Sequence, residues 1–162
     1  MFTESGCHAT LDIDRIFFDR GVEGCLLISS LDGTVEQLHN ATRVDEGFLP
    51  ASTFKIPHTL IALSEGVVWD PDSIVPWDGQ VRSIEVWNQD QTLRTAFARS
   101  CVWFFQAFTS QLSDSIYLEY LNQLDYGNKM TGSDSSTFWL DGNIRISARQ
   151  QIKLLKALYR NE

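Results

Sequence analysis

The sequence predicts an α+β fold with one pair of strands near the N-terminus and helices from there to the end of the chain. Three observations carry this prediction. The stretch "VEGCLLISS" at 22–30 has the pattern of a buried strand. Asp32 and Gly33 form a hairpin signal, and the stretch at 34–39 is predicted to be the returning strand. Beyond Pro50, apolar residues recur at helical spacing.

The other elements follow in chain order. Apolar positions on one side of 12–18 predict a short helix before the strands. A polar loop over 40–47 leads to a helix over 52–65, which is expected to end near Gly66. A loop rich in Pro, Asp and Gly occupies 69–80. Later helices are predicted over 92–112 as one broken helix or two, over 113–124 with a serine cap, and over 146–162 with Ser147 as the cap.

Between the last two helices, the segment 125–143 is rich in turn residues, with Phe138, Trp139 and Leu140 as an apolar plug. At 162 residues, the chain is predicted to be one domain, 1–162, with its own core. An isolated pair of strands is marginal in water and needs further strands or a covering helix. The two strands are therefore expected to require sheet partners that this sequence does not contain.

Composition limits the partners and cofactors. The 13 basic and 21 acidic residues give a net charge of −8, which argues against nucleic acid and anionic membranes. The sequence has no run of about 18 apolar residues, so no membrane span is predicted. Its cysteines and histidines are widely scattered, so no metal site is predicted. They are Cys7, Cys25, Cys101, His8, His39 and His58. We interpret Cys25 and Cys101 as small buried hydrophobes.

The stretch "PASTFKIPHTLIAL" at 50–63 places Ser52 three residues before Lys55, on one face of a helix. A serine hydroxyl is a weak nucleophile until a neighbouring base takes its proton. A lysine amine titrates near about 10.4 in water, so it can be that base only if its pKa is lowered. Burial among apolar side chains lowers it, because desolvation penalises the ammonium. Such side chains would be Phe54, Ile56, Leu60 and Ile61.

The spacing by itself carries little weight. A chain of this length contains on the order of one S-x-x-K by chance, which favours a surface serine near a solvated lysine. Pro57 shifts the balance towards a functional site, because a proline inside a helix breaks a local rule.

Four motifs in order give the pair its context. They are "FLPASTFKIP" at 48–57, "RSCVWFFQ" at 99–106, "DYGN" at 125–128 and "FWLDG" at 138–142. Together they resemble the S-x-x-K, S-x-V, Y-G-N and tryptophan-containing motifs of the class D serine β-lactamases. The resemblance runs from about Val22 to the end of the chain. It implies the serine β-lactamase and penicillin-binding transpeptidase fold.

The resemblance also implies roles for individual residues. Lys55 would carry an N-carboxyl group formed with carbon dioxide, with no other cofactor, and would be the general base. Ser52 would attack the β-lactam carbonyl, with its backbone N–H as one oxyanion donor. Ser100 would relay a proton to the leaving nitrogen. The indole N–H of Trp139 would stabilise the carboxylated lysine.

The other motif residues are expected to line or support the site. Phe54, Val102 and Leu140 would line it and keep it dry, although Val102, Trp139 and Leu140 would ordinarily be core residues. Tyr126, Gly127 and Asn128 would have a mainly structural role, or form only a helix-terminating turn. Ser100 would be a helix cap if the other motifs were absent.

One family motif is missing. Lysine followed by Thr or Ser and then Gly has no match, and the nearest letters are "KMTG" at 129–132. The resemblance therefore implies an incomplete fold, with the strand pair and the helical part but without the C-terminal sheet strands. Those strands would supply the second oxyanion N–H and the basic groups that hold the substrate carboxylate. We therefore expect a truncated chain with impaired activity.

Three functions remain open. The first is β-lactam hydrolysis, with penicillins as the expected substrates. The second is a β-lactam sensor domain that is acylated without turnover. The third is an inactive gene remnant, which would unfold without cooperativity and bind hydrophobic dyes. The resemblance implies a periplasmic or secreted protein, although this sequence contains no signal peptide. The oligomeric state and the spectrum among penicillins, cephalosporins and carbapenems do not follow from the sequence.

Overall fold

The computed structural model describes residues 12–161, which form helices and one two-stranded antiparallel sheet. This mixture confirms the α+β prediction. In chain order the helices and strands are α1 Ile13–Arg20, β1 Leu26–Ser29, β2 Glu36–His39, α2 Ala41–Val44, α3 Lys55–Ser64, α4 Leu93–Ala98, α5 Val102–Thr109, α6 Asp114–Gln123, α7 Phe138–Asp141 and α8 Ala148–Arg160. Two 3₁₀ helices complete the set, at Ala51–Phe54 and Glu85–Trp87.

These elements divide into two compact units, one containing the described residues 12–46 and 147–161, the other residues 47–146. In the first unit, β1 pairs with β2, with Leu26 opposite His39 and Ser29 opposite Glu36. Helix α8 packs on β1. It begins with a capping box between Ser147 and Gln150, so the predicted serine cap is confirmed.

Ionic and hydrogen-bonding side chains fix α8 within the first unit. Arg149 forms ion pairs with Asp45 and Glu36, at 2.7 and 3.3 Å. The Lys156 amine donates to Ser29 Oγ at 2.7 Å. The covering element that the strand pair needs is therefore partly supplied by the last helix.

The second unit has an aromatic core. Its largest fully buried side chains come from the 3₁₀ helix at Ala51–Phe54, from α5 to α7 and from the turn after α6; they are Phe54, Phe104, Phe105, Tyr117, Tyr126, Phe138 and Trp139. An antiparallel bridge joins Phe48 to Ile146, with mutual backbone hydrogen bonds of 3.0 and 2.9 Å. The first and last few residues of this unit therefore lie side by side.

Several sequence predictions need correction. The predicted polar loop over 40–47 contains α2, because Asn40 caps a turn of helix by accepting from the N–H of Arg43. The turn-rich segment 125–143 contains α7 where its apolar plug was predicted. The first strand covers only Leu26–Ser29 of the predicted 22–30. The helix predicted over 52–65 begins as a 3₁₀ turn and becomes α-helical at Lys55.

Two predictions for the helical part are confirmed. The segment 92–112 is two helices, because the chain turns at Ser100 between α4 and α5. Ser113 caps α6, as predicted. Cys101 is buried and Cys25 is half-buried, whereas Cys7 and His8 lie outside the described residues. Within residues 12–161, no helix is long and apolar enough to cross a membrane.

Candidate active site

Ser52 lies in a tight turn that leads directly into α3. The turn is the 3₁₀ helix Ala51–Phe54, and Ala51 has a φ of +46°, a region that costs a non-glycine residue conformational energy. Pro57 is the third residue of α3 and so lies in its first turn. Backbone N–H groups in the first turn have no partner within the α-helix, so a proline there costs no α-helical hydrogen bond. Our expectation that Pro57 breaks a helical rule is therefore wrong, since the α-helix begins only at Lys55.

The amine of Lys55 lies against the hydroxyl of Ser52. Lys55 Nζ donates to Ser52 Oγ at 3.0 Å across the predicted three-residue spacing. Ser52 is exposed, whereas Lys55 is only 3 % exposed. The pair therefore presents its hydroxyl to solvent and keeps its amine inside the protein.

Burial lowers the pKa of Lys55 below its ordinary value, because desolvation penalises the ammonium form. The amine lies 5.6 Å from the centre of the Phe105 ring, over its face. Once the amine is neutral, its lone pair can accept the proton of Ser52, so the hydrogen bond between them can reverse direction.

Ser100 reaches the same hydroxyl from the other side. Its Oγ donates to Ser52 Oγ at 3.0 Å, so Ser52 stands between Lys55 and Ser100. Ser100 has a φ of +52° and lies before the first residue of α5, where Cys101 is the cap residue. The alternative in which Ser100 caps the helix is therefore wrong.

Trp139 and Phe54 are buried neighbours. Their rings stack with centroids 5.9 Å apart and an angle of 14° between planes. Trp139 is 1 % exposed, and its indole Nε1 has no hydrogen-bond partner among residues 12–161. A buried, unpaired N–H is costly in a folded protein and marks a place where an acceptor would be favourable. Val102 and Leu140 are half-buried, and their contribution to a dry site remains a prediction.

The Tyr126–Asn128 turn contacts Phe54 through the ring of Tyr126. Tyr126 is buried and meets the Phe54 ring edge-on at 5.6 Å. Gly127 has a φ of +55°, and a Cβ there would lie 2.0 Å from the carbonyl oxygen of Arg145. Asn128 donates from its backbone N–H to that same oxygen at 2.9 Å and accepts from the Arg145 N–H at 3.0 Å. Helix α6 ends at Gln123, so the turn lies beyond the helix terminus.

His58 is a neighbour that the sequence analysis missed. It is fully buried, one helical turn after Lys55, and its Nε2 is hydrogen-bonded to Tyr117 Oη at 2.8 Å. Its ring meets that of Trp139 edge-on, with centroids 5.2 Å apart. Burial, with a smaller contribution from the Lys55 charge, lowers the pKa of His58 to about 3. The available signal was its i, i+3 spacing from Lys55, which predicts the same helix face. The sequence analysis also did not identify Phe105, whose ring faces the Lys55 amine.

The three residues with implied catalytic roles thus come together through two hydrogen bonds: Lys55, Ser52 and Ser100. The ring of Phe54, which lies between Ser52 and Lys55 in sequence, packs against the rings of Trp139 and Tyr126. Across the described part of the chain, no cluster of three or more His, Cys, Asp or Glu side chains has metal-binding geometry. The two hydrogen bonds that meet at Ser52 Oγ give an arrangement that can support serine-based acyl transfer.

Comparison with known proteins gives consistent results. Residues 27–162 match the family model of the penicillin-binding protein transpeptidase domain. The β-lactamase OXA-20 of Pseudomonas aeruginosa is 40% identical over 157 residues, which cover 96% of this chain and 59% of that protein. The β-lactamase OXA-48 of Klebsiella pneumoniae is 47% identical over 124 residues, which cover 76% of this chain and 47% of that protein. The chain thus spans about half the length of these curated relatives.

Solved structures agree with the sequence comparison. A class D β-lactamase of Sebaldella termitidis superimposes with a TM-score of 0.87 and 36% identity, over 91% of this chain and 59% of that one. A class D β-lactamase of Nostoc gives a TM-score of 0.86 and 39% identity, over 91% of this chain and 63% of that one.

Proposed function

Because the chain belongs to the penicillin-binding protein transpeptidase family and, within it, to the class D serine β-lactamases, we propose that it opens β-lactam rings through an acyl-enzyme on Ser52. The likeness to solved structures also confirms the predicted fold of the family. The observation that carries the proposal is the row of three polar groups Lys55, Ser52 and Ser100, linked by two hydrogen bonds of 3.0 Å.

In this proposal, Ser52 Oγ gives its proton to the Lys55 side chain and forms a bond to the carbonyl carbon of the β-lactam. The backbone N–H of Ser52 stabilises the developing oxyanion. As the carbon–nitrogen bond of the ring breaks, Ser100 passes its hydroxyl proton to the departing nitrogen and takes in its place the proton that the Lys55 side chain received from Ser52. Its hydroxyl is suited to this because it already contacts Ser52 Oγ. Water then releases the product from Ser52, with the Lys55 side chain as its base.

We further propose that Lys55 is N-carboxylated in its active form. A neutral lysine amine adds carbon dioxide to give a carbamate, with release of one proton. The carbamate is an anion whose oxygens can accept a proton, which an ammonium group cannot do. Two features support this fit. Burial lowers the pKa of Lys55 and so favours the neutral amine. The unpaired indole N–H of Trp139 would be a donor for the added oxygens.

The central test is the intact mass of the purified chain after brief exposure to a penicillin. We expect the mass to increase by one penicillin molecule, and Ser52→Ala to show no increase. Loss of the adduct over minutes, with release of hydrolysed penicillin, would support hydrolysis. A persistent adduct would support the sensor alternative. No adduct at any concentration would refute the proposal and favour an inactive remnant.

Carboxylation has a separate test. Chain prepared with ¹³C-bicarbonate is expected to give a carbamate carbon resonance that is absent from Lys55→Met. Trp139→Phe keeps an aromatic ring but removes the N–H, so it is expected to weaken this signal at a given bicarbonate concentration. A wild-type spectrum without a carbamate resonance, recorded on chain that still forms the penicillin adduct, would refute carboxylation while leaving Ser52 as the nucleophile.

The relatives are named as β-lactamases, which makes β-lactam antibiotics the proposed ligands, with penicillins first. A periplasmic or secreted location belongs to the same proposal. We expect antibiotic protection only where the chain is delivered to the compartment in which cell-wall synthesis occurs.

A further inference from the structure

Trp87 lies next to the site without being part of the motif set. It is the last residue of the 3₁₀ helix Glu85–Trp87 and is half-buried. Its indole Nε1 donates to the backbone carbonyl oxygen of Arg99 at 2.9 Å. Arg99 immediately precedes Ser100, so this hydrogen bond is made to the peptide group that joins Arg99 to Ser100.

The same tryptophan is also held from the other side of Ser100. The indole Nε1 of Trp103 donates to the backbone carbonyl oxygen of Trp87 at 2.8 Å. Trp103 is buried on α5, three residues after Ser100. The two indole hydrogen bonds therefore connect Trp87 to both flanks of Ser100.

Ser100 needs such support because of its backbone conformation. Its φ of +52° lies in the left-handed region, which a non-glycine residue occupies only when its surroundings hold it there. The N–H groups of Ser100 and Cys101 donate to carbonyl groups at the end of α4, those of Phe97 and Ala96, at 3.1 and 2.8 Å. The carbonyl oxygen of Arg99, in the peptide group that leads into Ser100, accepts from the Trp87 indole N–H.

A second contact joins the same two segments. Gln91 is 1 % exposed, and its Oε1 accepts from the Arg99 guanidinium at 3.3 Å. Its Nε2 donates to the carbonyl oxygen of Val86 at 2.9 Å. Both the main chain and the side chain of Arg99 are therefore bound to the segment that carries Trp87.

We propose that Trp87 is a positioning residue, which holds Ser100 in the conformation from which its hydroxyl reaches Ser52. This inference rests on the proposed function, since the proton relay by Ser100 is the step that the positioning serves. Trp87 acts through the carbonyl group of Arg99 and needs no contact with the reacting atoms. Loss of the indole N–H would let the turn relax and lengthen the distance between Ser100 Oγ and Ser52 Oγ.

The test compares two tryptophan-to-phenylalanine variants. Trp87→Phe keeps a ring but removes the donor to Arg99. Trp77→Phe is the matched control, because Trp77 is also half-buried and its Nε1 donates to a backbone carbonyl group, that of Gln80 at 3.1 Å, away from Ser100. We expect Trp87→Phe to lower the limiting rate of acylation by about tenfold, with unchanged substrate affinity, and Trp77→Phe to have no effect.

A double-mutant cycle separates positioning from general destabilisation. If Trp87 acts through Ser100, then adding Trp87→Phe to Ser100→Ala is expected to cause no further loss of the acylation rate. A full additional tenfold loss in the Ser100→Ala background would overturn the inference. So would a Trp87→Phe variant that weakens only substrate affinity, because Trp87 would then be a wall of the binding site.

Amide hydrogen exchange tests the inference even if the chain does not react with penicillin. The Cys101 N–H is protected by its bond to Ala96, so its exchange rate reports on the turn at Ser100. We expect Trp87→Phe to speed this exchange by about fivefold or more, and Trp77→Phe to leave it unchanged. Equal exchange rates in both variants would overturn the inference. If the unsubstituted chain does not react with penicillin, that result refutes the proposed function and leaves this inference to the exchange measurement.

Discussion

Replacement of Gly127 by alanine tests the structural role of the Tyr126–Asn128 turn. A Cβ at this position would lie 2.0 Å from the carbonyl oxygen of Arg145 and 3.0 Å from its carbonyl carbon. Side chains cannot relieve this clash, because both atoms are backbone. The 126–128 segment must therefore move away from Arg145, and the bond of 2.9 Å from the Asn128 N–H to Arg145 would break.

The expected cost has three parts. Alanine at a φ of +55° costs about 1 kcal/mol in the left-handed region, after allowance for the lower entropy of the unfolded chain. Forcing extra volume into a packed site costs about 1–3 kcal/mol. The lost backbone hydrogen bond adds about 1 kcal/mol. We therefore expect Gly127→Ala to lower the free energy of unfolding by about 3–5 kcal/mol, a large part of the stability of a typical domain.

Gly66→Ala is the matched control within the same unit. Gly66 has a φ of +69°, but a Cβ there meets nothing within 4 Å, so only the conformational cost of about 1 kcal/mol applies. Urea unfolding followed by circular dichroism measures both variants. In thermal unfolding, the midpoint is expected to fall by roughly 10 °C for Gly127→Ala and about 3 °C for Gly66→Ala. If the two variants lose the same stability, the clash with Arg145 is not what makes Gly127 necessary.

Two further predictions concern the buried ionisable groups of α3, His58 and Lys55. The pKa of His58 is lowered to about 3 in the folded protein from 6.5 in the unfolded chain, so its neutral form contributes stability that is complete above pH 6.5 and is lost as the pH falls towards 3. The loss should reach about 4 kcal/mol, and a flat stability profile between pH 6.5 and 4, measured against His58→Phe, would contradict it. Lys55→Met should raise stability at neutral pH by about 1 kcal/mol while abolishing the penicillin adduct, because it removes a buried amine. The lowered pKa of Lys55 means that this gain shrinks as the pH rises towards about 10.4, and a gain that grows with pH in a urea titration would refute it.

The sequence predicted the elements with strong local signals. Ser113 and Ser147 each cap the helix that was expected to follow them, since a cap needs only a serine and the N–H groups of the next turn. The helix at Ala41–Val44 was not predicted. Its cap is Asn40, which has a positive φ, and asparagine is equally common in loops and turns. Short turns of helix of this kind have no periodicity to detect.

The candidate site was predictable where motif and spacing agreed. The three-residue spacing of Ser52 and Lys55 was sufficient to predict their contact. The approach of Ser100, 48 residues later, followed from the family resemblance alone, because no local rule relates two such distant residues. For His58, the i, i+3 spacing from Lys55 on one helix was an available signal. Phe105 is different, because it approaches the Lys55 amine through tertiary packing, which no sequence pattern predicts. The unpaired N–H of Trp139 is likewise a property of the packed core, so no sequence pattern could predict it.

The bridge between Phe48 and Ile146 has a consequence for the order of folding. Helix α8 must find strand β1 across more than a hundred residues, and closing a free loop of that length costs about 4 kcal/mol of chain entropy. Once residues 47–146 have folded, the bridge already holds the two ends of that loop together. The entropic cost for α8 to reach β1 is then much smaller, because the two segments start close together. We therefore expect residues 47–146 to fold first, and substitutions that break the bridge to slow the docking of α8 more than the formation of the aromatic core.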